Sequence, residues 1–378
     1  MSDKNISYFR GKNESKVDVE YLKNEVSQFL QLDNLSFLIG AGCSSHIVDD
    51  EEKGIPGMAK LYDGFFEQFK DFEIAGQYAK PLFNGSLENM LESMGAISVA
   101  SKVQEIDKDI DNKIKIVQKY IREQVSYGLH SDEVQEFYRN FYMKTVSKGR
   151  KSPVSIFTTN YDIYNEQALD MLSFPYNNGF TGTYQRMFNP ASYKYAYVED
   201  MNLSKNVWER VPNYYNLYKL HGSITWIKND EFINEVDYRY ISDEDTVMIY
   251  PTPLKDRTTL MTPYSDIFRA METVLLKKNS VLVTLGYSFS DDHINRLILN
   301  CLAIPTFKLI VFGAGEAIQK LIEIDDNRII VINSEDKIHY FKNFVEKIMP
   351  DIREDIKESM DIPSVATIIK AFEDNEDE

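Results

Sequence analysis

The stretch Phe37-Leu-Ile-Gly-Ala-Gly-Cys-Ser-Ser45 runs from an apolar β-type segment into two glycines and two hydroxyl side chains. Three later segments also sit at the end of an apolar run: Thr158-Thr-Asn-Tyr-Asp162, Leu220-His-Gly-Ser223 and Leu285-Gly-Tyr-Ser288. Open α/β sheets bind their ligands beyond the carboxyl ends of the strands. Four such endings, in this order, predict one α/β sheet with a ligand site along one edge.

The first segment has the composition of a phosphate-binding turn. Gly40 and Gly42 would let the backbone approach a pyrophosphate closely, and Ser44 and Ser45 precede a predicted helix start. Free N–H groups at a helix N-terminus hold phosphate, so the segment indicates dinucleotide binding. A tight glycine turn without a ligand explains the same residues, because Gly-Ala-Gly is not a full Gly-x-Gly-x-x-Gly fingerprint.

Apolar β-type runs alternate with helical patterns along much of the chain, which is typical of a parallel sheet. Residues 174–215 show little periodicity and are interpreted as a long ordered loop near the site. The predicted fold class is α/β, with a Rossmann-like, mostly parallel sheet. Strands are predicted at residues 35–39, 154–158, 218–220, 247–250, 281–285, 308–312 and 329–332. Helices are predicted at residues 17–32, 163–172, 264–277, 292–303, 317–322 and 338–348.

Between the first two predicted strands the spacing of apolar residues becomes helical, at residues 61–72, 87–103, 110–125 and 133–146. We therefore predict a large helical insertion lobe at residues 58–150, inserted into a catalytic domain formed by residues 1–57 and 151–350. Residues 351–378 are predicted to form a C-terminal helix and an acidic tail. The aromatic side chains of the lobe suit either subunit contacts or a helical core: Phe65, Phe66, Phe69, Phe137, Tyr138, Phe141 and Tyr142.

Composition restricts the environment and the partners. A chain of 378 residues can bury one large core plus a second lobe. Its net charge of −17 argues against broad contact with DNA or an anionic membrane, so neither is an expected partner. Two cysteines do not make a disulfide framework, and no N-terminal apolar run resembles a signal peptide. We expect a cytoplasmic protein.

The chain resembles the sirtuins over about residues 30–340, with a large interruption between Gly57 and Lys151. The motifs that carry the resemblance are Gly40-Ala41-Gly42 with Ser44 (phosphate loop), Gly54-Ile55-Pro56 (Gly-Ile-Pro element), Asn160 with Asp162 (Asn-x-Asp pair), His221-Gly222 (catalytic His-Gly), Gly286 with Ser288 (Gly-x-Ser contact) and Ile332-Asn333-x-Glu335 (adenosine-side element).

The resemblance implies that the chain binds NAD as its substrate. Asn160 and His221 are then the catalytic residues. The NAD-binding residues that the resemblance implies are Gly40, Ala41, Gly42, Ser44, Asp162, Gly286, Ser288 and Asn333.

The chain also departs from the sirtuin deacetylases. Those enzymes hold a structural zinc with four cysteines, whereas this chain has only Cys43 and Cys301, far apart. We therefore predict no zinc module and no other metal site. The Gly-Ile-Pro element continues as Gly57-Met58 instead of Asp-Phe-Arg, which weakens the case for acyl-lysine recognition. What remains looks like the sirtuin-related NAD-hydrolysing effectors of bacterial antiphage defence.

The residue types suit cleavage of the bond between nicotinamide and ribose. Nicotinamide in NAD is already a cationic leaving group, so the barrier lies in positive charge developing on the ribose. Asn160 can bind the ribose hydroxyls or a water without adding charge, and Asp162 can accept a hydrogen bond from the carboxamide. His221 can take a proton, because histidine side chains titrate near neutral pH. A packed histidine is the alternative, and Gly222 with the spacing after Asn160 favours chemistry.

Several other residues have two interpretations each. Cys43 suits packing better than nucleophilic attack. In Ser290-Asp-Asp-His293, Ser290 followed by acids is an N-cap rather than a metal site, although Asp292 or His293 could border the cofactor. Phe312-Gly-Ala-Gly315 could meet the adenosine end of NAD or merely turn a strand into a helix. Trp226 could wall the site or fill the core.

Three classes of function stay open at this point. The first is an NAD glycohydrolase, and the second is a sensor or structural subunit that binds NAD or ADP-ribose without consuming it. A protein deacylase ranks behind both, because it needs a lysine channel, and a nuclease ranks last. An unrestrained NAD hydrolase would drain its own cell, so we expect gating by assembly. The related defence subunits imply a homo-oligomer and a separately encoded ATPase of HerA type as partners.

Overall fold

The computed structural model describes residues 5–48, 51–101, 103–104, 106–147, 150, 152–202, 207–229, 232–242, 246–249 and 262–354. The C-terminal helix and acidic tail predicted at 351–378 lie outside the described residues from position 355 onward.

The strands are numbered in chain order. They are β1 Ile6–Arg10, β2 Asn13–Val17, β3 Asn34–Ile39, β4 Ser45–Val48, β5 Glu51–Gly54, β6 Glu73–Ile74, β7 Gln77–Tyr78, β8 Val154–Thr158, β9 Tyr176–Asn177, β10 Phe180–Thr181, β11 Arg186–Phe188, β12 Val198–Asn202, β13 Val207–Arg210, β14 Tyr215–Lys219, β15 Gly222–Asn229, β16 Phe232–Glu235, β17 Thr246–Ile249, β18 Ser280–Leu285, β19 Lys308–Phe312 and β20 Ile329–Asn333.

The α-helices follow the same numbering. They are α1 Val19–Phe29, α2 Met58–Gln68, α3 Leu87–Ser101, α4 Ile110–Gly128, α5 Asp132–Thr145, α6 Tyr164–Met171, α7 Tyr264–Leu275, α8 Asp292–Asn300, α9 Glu316–Glu323 and α10 Phe341–Asn343, which a π-helical turn Phe344–Ile348 continues. Short 3₁₀ turns include Ala41–Cys43 and Pro190–Lys194.

Nine strands of the described chain form the central sheet, in the order β2-β1-β20-β19-β18-β3-β8-β14-β9. The strands from β20 to β9 pair in parallel, and β1 and β2 add an antiparallel edge. After β3 the chain adds β8 and β14 on one side, and then β18, β19 and β20 on the other. Such a reversal is where open α/β sheets bind their ligands. The predicted Rossmann-like α/β fold is confirmed.

Apolar layers cover both faces of the sheet, as a parallel sheet requires. Along β3, Phe37 and Ile39 belong to one buried cluster, whereas Leu38 between them belongs to the other. The first cluster includes side chains of α1 to α6, and the second includes side chains of α7, α8 and α9. Helices on both faces leave the carboxyl ends of the strands as the open edge.

A second sheet corrects one predicted strand. β17, which covers most of the strand predicted at 247–250, pairs antiparallel with β15 and not within the parallel sheet. It belongs to a five-stranded sheet in the order β10-β11-β16-β15-β17. The predicted place of this strand in the parallel sheet is wrong, because four consecutive apolar or β-branched residues fit either kind of sheet.

Two further segments differ from the prediction. The first described strands form the unpredicted hairpin β1–β2, and the second strand is exposed and has few apolar residues to predict it. Residues 174–215 are not one loop, since they contain β9 to β13 and the 3₁₀ turn Pro190–Lys194. Several of their side chains line a cavity at the amino ends of the strands, away from the edge where the ligand site was predicted.

The predicted insertion lobe contains α2 to α5, and its helices share a core with the sheet. The ring of Phe141 on α5 packs edge-on against that of Phe37 on β3, with centroids 4.9 Å apart. Of the lobe aromatics named above, Phe69 is partly buried and the other six are buried, so they form core and not a subunit surface. The domain boundaries at residues 58 and 150 stay a prediction.

Replacing Phe37 by Ala tests this shared core. Phe37 is fully buried, so the cavity should lower the free energy of unfolding by about 3–5 kcal/mol. The loss should appear as one shifted transition in urea, followed by circular dichroism. Tyr184→Ala, at a position 96 % exposed, should change stability by less than about 0.5 kcal/mol. A separate transition for the helices 58–145 would contradict the shared core.

Candidate functional site

The glycines of the first segment let two loops pack backbone against backbone. A β-carbon on Gly40 would lie 2.5 Å from Gly286 O, and one on Gly286 would lie 2.6 Å from Cys43 N. Gly286 also has a φ of +59°, which favours glycine. The amides of Gly40 and Gly42 donate to Leu285 O at 2.9 Å and Gly286 O at 3.0 Å. Because these positions have no side chain, the turn after β3 packs directly against the loop after β18.

The same turn does not open a long helix. Ala41–Cys43 is a single 3₁₀ turn, and the strand β4 follows it where the sequence predicted a helix start. Cys43 N donates to Gly40 O and Ser44 N to Ala41 O, both at 3.0 Å, so these amides bond within the turn. The predicted helix start is wrong, and the exposed Ala41 and Gly42 form the outer edge of the turn.

The hairpin β4–β5 accounts for the long spacing to the Gly54-Ile-Pro56 element. Ser45 pairs with Gly54, and Ile55 N donates to Ser44 O at 2.8 Å. Gly54 has a φ of +89°, and a β-carbon there would lie 2.3 Å from Ser44 O. The described additional residues therefore form a hairpin, and the Gly-Ile-Pro element begins directly beside Ser44.

The side chain of Ser44 is the centre of a buried hydrogen-bond network. Its Oγ donates to Asp162 Oδ2 at 2.7 Å, and Asn160 Nδ2 donates to it at 2.9 Å. The hydroxyl of Tyr138, on α5, lies 3.1 Å from the same Oγ. All four residues are buried. The network thus joins the turn after β3, the loop after β8 and a helix of the predicted lobe.

Asn160 lies at the carboxyl end of β8 with one polar atom unpaired. Its Nδ2 also donates to Gly40 O at 3.0 Å. Its Oδ1 is buried and has no hydrogen-bond partner among the described residues. Unpaired buried acceptors are costly, so this oxygen is a candidate for a ligand hydroxyl or a bound water.

Asn160 and His221 lie on neighbouring strands at equivalent positions. In the parallel register Thr158 pairs with Lys219, and each of the two residues follows two positions later. Leu220 N donates to Thr158 O at 2.8 Å, which extends the pairing toward His221. The sheet therefore brings together the two residues that the sequence predicted as catalytic.

Asp162 is fixed within the protein. Its Oδ1 accepts from Tyr164 N at 3.0 Å, while its Oδ2 accepts from Ser44. Burial raises the pKa of Asp162, although Lys219 and the Ser44 hydroxyl act in the opposite direction. The predicted contact with the nicotinamide carboxamide stays a prediction, and the structure shows Asp162 bracing Ser44.

A buried lysine lies below the same loop. Lys219 Nζ donates to the Asp162 carbonyl oxygen and to Glu166 Oε1, the latter at 3.0 Å. Lys219 is 1 % exposed, and burial raises the pKa of Glu166 against the effect of the lysine. Lys219 therefore joins the backbone of this loop to α6. Removal of either charged partner would leave an unpaired buried charge, which is strongly destabilising.

His221 has a carboxylate partner. Its Nε2 lies 3.1 Å from Asp291 Oδ2, and the histidine is 7 % exposed. A carboxylate at Nε2 favours the tautomer with hydrogen on that nitrogen, which makes Nδ1 the acceptor nitrogen. The pair therefore has the arrangement of a general base held by a carboxylate.

The loop after β18 must cross the edge of the sheet to make this contact. β8 and β3 lie between β14 and β18, so the two strands are roughly 14 Å apart. Asp291 also begins α8, because its Oδ1 accepts from His293 N at 2.9 Å and Ile294 N at 3.1 Å. One carboxylate thus caps a helix and holds the histidine.

Two residues of the site were missed by the sequence analysis. Asp291 was grouped with an N-cap that the sequence assigned to Ser290, and the structure shows that Asp291 is the cap and the partner of His221. Tyr138 was considered only as a core or interface aromatic. A distinguishing signal existed for Asp291, since an acid directly before a helix can cap with one oxygen and bind with the other.

The remaining predicted residues lie along the same edge of the sheet. Ser288 is exposed, with its Oγ 2.9 Å from that of Ser290. Asn333 ends β20, three strands from β3 and hence roughly 14 Å away. Gly315, with a φ of +119°, precedes α9. These positions are compatible with the far half of an extended dinucleotide, and their contact with NAD stays a prediction.

Other ambiguous residues have definite places. Cys43 is buried and burial raises the pKa of its thiol, as expected for a packed residue. Trp226 is buried against Phe180, with centroids 5.2 Å apart, so it fills the core. His293 packs edge-on against Phe268 in a surface groove between α7 and α8.

Two features are absent from the described part of the chain. No group of three or more His, Cys, Asp or Glu side chains there is placed to hold a metal ion. None of the helices described is both long and apolar enough to cross a membrane.

Comparison with known families agrees with this geometry. Residues 154–311 match the family described as SIR2-like domain. The match runs from the start of β8 almost to the end of β19, and it includes Asn160, His221 and Asp291. It supports a sirtuin-like protein with an NAD-related activity. No curated protein matches the chain.

Replacing Asp162 by Asn, in the region that matches the SIR2-like domain, tests the electrostatics of the network. Burial raises the pKa of Asp162 in the folded state, so the folded state binds this proton more tightly than the unfolded chain. The contribution of protonated Asp162 to the free energy of unfolding is fully present below about pH 4, and it is lost as the pH rises through the folded-state pKa of Asp162. The free energy of unfolding of wild type minus that of Asp162→Asn should therefore fall from pH 4 toward pH 7.

Urea denaturation at several pH values measures this difference. The control is Asp71→Asn, at an exposed carboxylate, whose difference from wild type should stay nearly constant with pH. A wild type that gains stability relative to Asp162→Asn as the pH rises would contradict the buried, destabilised carboxylate.

Proposed function

We propose that this protein is an NAD glycohydrolase, which cleaves the nicotinamide–ribose bond to give nicotinamide and ADP-ribose. The observation that carries the proposal is the contact of His221 with Asp291 beside Asn160, at the carboxyl edge of the sheet. The SIR2-like match supports the NAD-related part of the proposal, and the hydrolysis is our inference.

The residues present fit NAD as a substrate. The unpaired Oδ1 of Asn160 offers an acceptor for a ribose hydroxyl or for the attacking water. Because this side chain is uncharged, it adds no charge beside a ribose ring that becomes cationic. Ala41 and Gly42 present an exposed turn at the same edge, where the diphosphate would pass.

The proposed reaction needs one proton acceptor. Water attacks the anomeric carbon of the ribose as the bond to the nicotinamide nitrogen breaks, and nicotinamide leaves as a neutral molecule. His221 takes the proton that the water loses, and Asp291 stabilises the imidazolium that forms. The proton then returns to solvent, so the products are nicotinamide, ADP-ribose and one proton.

We further propose that assembly gates this activity. The resemblance to antiphage effectors supports a homo-oligomer that works with a separately encoded HerA-type ATPase and depletes NAD on infection. The alternative is a sensor or structural subunit that binds NAD or ADP-ribose without consuming it. A deacylase is the less favoured alternative, and it would release acyl-ADP-ribose from an acylated peptide.

NAD loss by the purified chain, alone and mixed with a candidate ATPase, tests the hydrolase. Nicotinamide and ADP-ribose should appear on chromatography. Asn160→Ala and His221→Ala should each lower the rate at least about a hundredfold, because each removes a group that acts at the reacting atoms. His130→Ala, at an exposed histidine, is the matched control and should leave the rate unchanged.

The two variants must keep their thermal unfolding transition for this comparison to count. Normal turnover by both would overturn the assigned roles. NAD that is bound but unchanged in every mixture would favour the sensor, and failure to co-elute with the ATPase would count against that partner.

Asp291→Asn separates positioning of the histidine from capping of α8. Asn retains an acceptor for the amides of His293 and Ile294, so the helix should begin as before. It can offer its NH₂ group to Nε2, which favours the wrong tautomer. The expected result is a fall in kcat of about 10²–10⁴-fold, with KM little changed and the acidic limb of the pH–rate profile altered.

The neighbouring Asp292→Asn is the matched control, since that exposed residue makes the same change of charge one position later. It should leave kcat within about twofold of wild type. An Asp291→Asn variant whose loss appears only as reduced thermal stability would show a structural role and not a positioning role.

A further inference from the structure

A cavity of about 1120 Å³ lies at the opposite end of the strands that carry the candidate active site. The first residues of β3, β8 and β14 line it, among them Ser36, Ser155 and Asn216. Other walls come from the segment before β8, from residues 193–197 and 210–214, and from the end of α7. We call it the amino-edge cavity. It is large enough for a cofactor-sized ligand, since ligand pockets span roughly 300–1000 Å³.

The charge of the lining is opposite to that of the whole chain. The chain carries a net charge of −17, yet the described residues that line the cavity include no Asp or Glu. Four cations line it: Arg150, Lys194, Arg210 and Lys277. Lys194 and Lys277 are exposed and make no ion pair with a described residue. Asp33, beside the cavity, acts on Arg150, so Lys194 and Lys277 are the cations that the argument uses. Clustered cations of this kind favour an anionic ligand.

The lining also offers aromatic faces. Tyr195 and Tyr197 are 58 % and 55 % exposed, and both belong to the lining. Tyr197 packs at an angle on Tyr214, with centroids 5.2 Å apart, which orients its ring. Exposed tyrosines that line a cavity are suited to stack on a planar ring, and stacking does not depend on which base is present.

A buried acceptor inside the lining is unpaired. Asn216 is 5 % exposed, and its Oδ1 has no hydrogen-bond partner among the described residues. The buried hydroxyls of Ser36 and Ser155 lie among the same lining residues. The Ser155 hydroxyl bonds to that of Tyr218, so the unpaired Oδ1 of Asn216 is the group that a polar ligand or a bound water would satisfy.

We propose that the amino-edge cavity binds a free nucleoside phosphate. Lys194 and Lys277 would contact the phosphates, the exposed tyrosines would stack on the base, and Asn216 would accept a hydrogen bond from the ligand. The same chemistry occurs at the phosphorylated end of a single strand, so the experiment must distinguish these two sources.

This site is separate from the candidate active site. Strands of five or six residues span roughly 17–20 Å, so the two sites lie at opposite edges of the sheet. No residue of the hydrogen-bond network around Ser44 lines the cavity. The proposal therefore does not depend on hydrolysis of NAD.

Isothermal titration calorimetry of the full chain tests the proposal with ATP, GTP, CTP and UTP as probes. At least one of them should bind, and Lys194→Glu/Lys277→Glu should weaken that binding at least tenfold through charge reversal. Lys115→Glu, an exposed position on α4, makes the same type of change elsewhere and should leave binding unchanged. Asn160→Ala should also leave it unchanged.

Each other outcome overturns the proposal. None of the four nucleotides binding would do so, and so would binding that is lost in Asn160→Ala but kept in the charge-reversed chain, which would place the ligand at the active site. A 5′-phosphorylated hexanucleotide that binds more tightly than any nucleotide, with the same sensitivity to Lys194→Glu/Lys277→Glu, would identify a strand end as the ligand. Unchanged thermal unfolding of the charge-reversed chain confirms that its fold is intact.

Discussion

The hydroxyl of Ser44 is the constraint on which the candidate site depends. A serine hydroxyl donates one hydrogen bond and accepts two, and here its donor goes to Asp162. It must then accept from both Asn160 and Tyr138. Because Asn160 Nδ2 uses its hydrogens on Ser44 and Gly40, the orientation of its amide is fixed and Oδ1 is directed elsewhere. One small side chain thus determines which atom of the asparagine is left for a ligand.

The contact of His221 with Asp291 fixes the position of the histidine, as Ser44 fixes the orientation of Asn160. It ties the loop after β14 to the loop after β18, across the ends of the two strands between them. Close backbone packing of Gly40 and Gly286 joins the loop after β18 to the turn after β3 as well. The loops after β3, β8, β14 and β18 therefore support one another, so the candidate site depends on β3 as well as on the 154–311 region.

The sequence predicted most of this edge because strand endings in a parallel sheet are forced together. The proximity of Asn160 and His221 could be predicted from this rule. The strands β18 to β20 could be predicted from their apolar runs. The contact of Asp291 with His221 could not, since it depends on how far a loop reaches over the sheet. The role of Tyr138 could not be predicted for another reason. An apolar pattern on a helix predicts a buried aromatic ring, but it does not show whether the hydroxyl of that ring makes a hydrogen bond. The hairpin β4–β5 was not predicted, because the glycines and serines were interpreted as a helix start. The amides of that turn instead bond within the turn, and a strand follows it.

Parallel strands also give the molecule two chemically different edges. At the carboxyl edge the polar groups of the candidate site are an amide, a histidine and carboxylates, which would suit the proposed substrate, since its ribose becomes cationic as the bond breaks. At the amino edge the charged residues that the described cavity lining contains are lysines and arginines, which suit phosphate. β3, β8 and β14 each contribute to both edges, so a substitution within any of these strands should disturb both sites together. Substitutions at Lys194 or Asp291 should act on one edge alone, and this difference allows the two proposed sites to be separated by experiment.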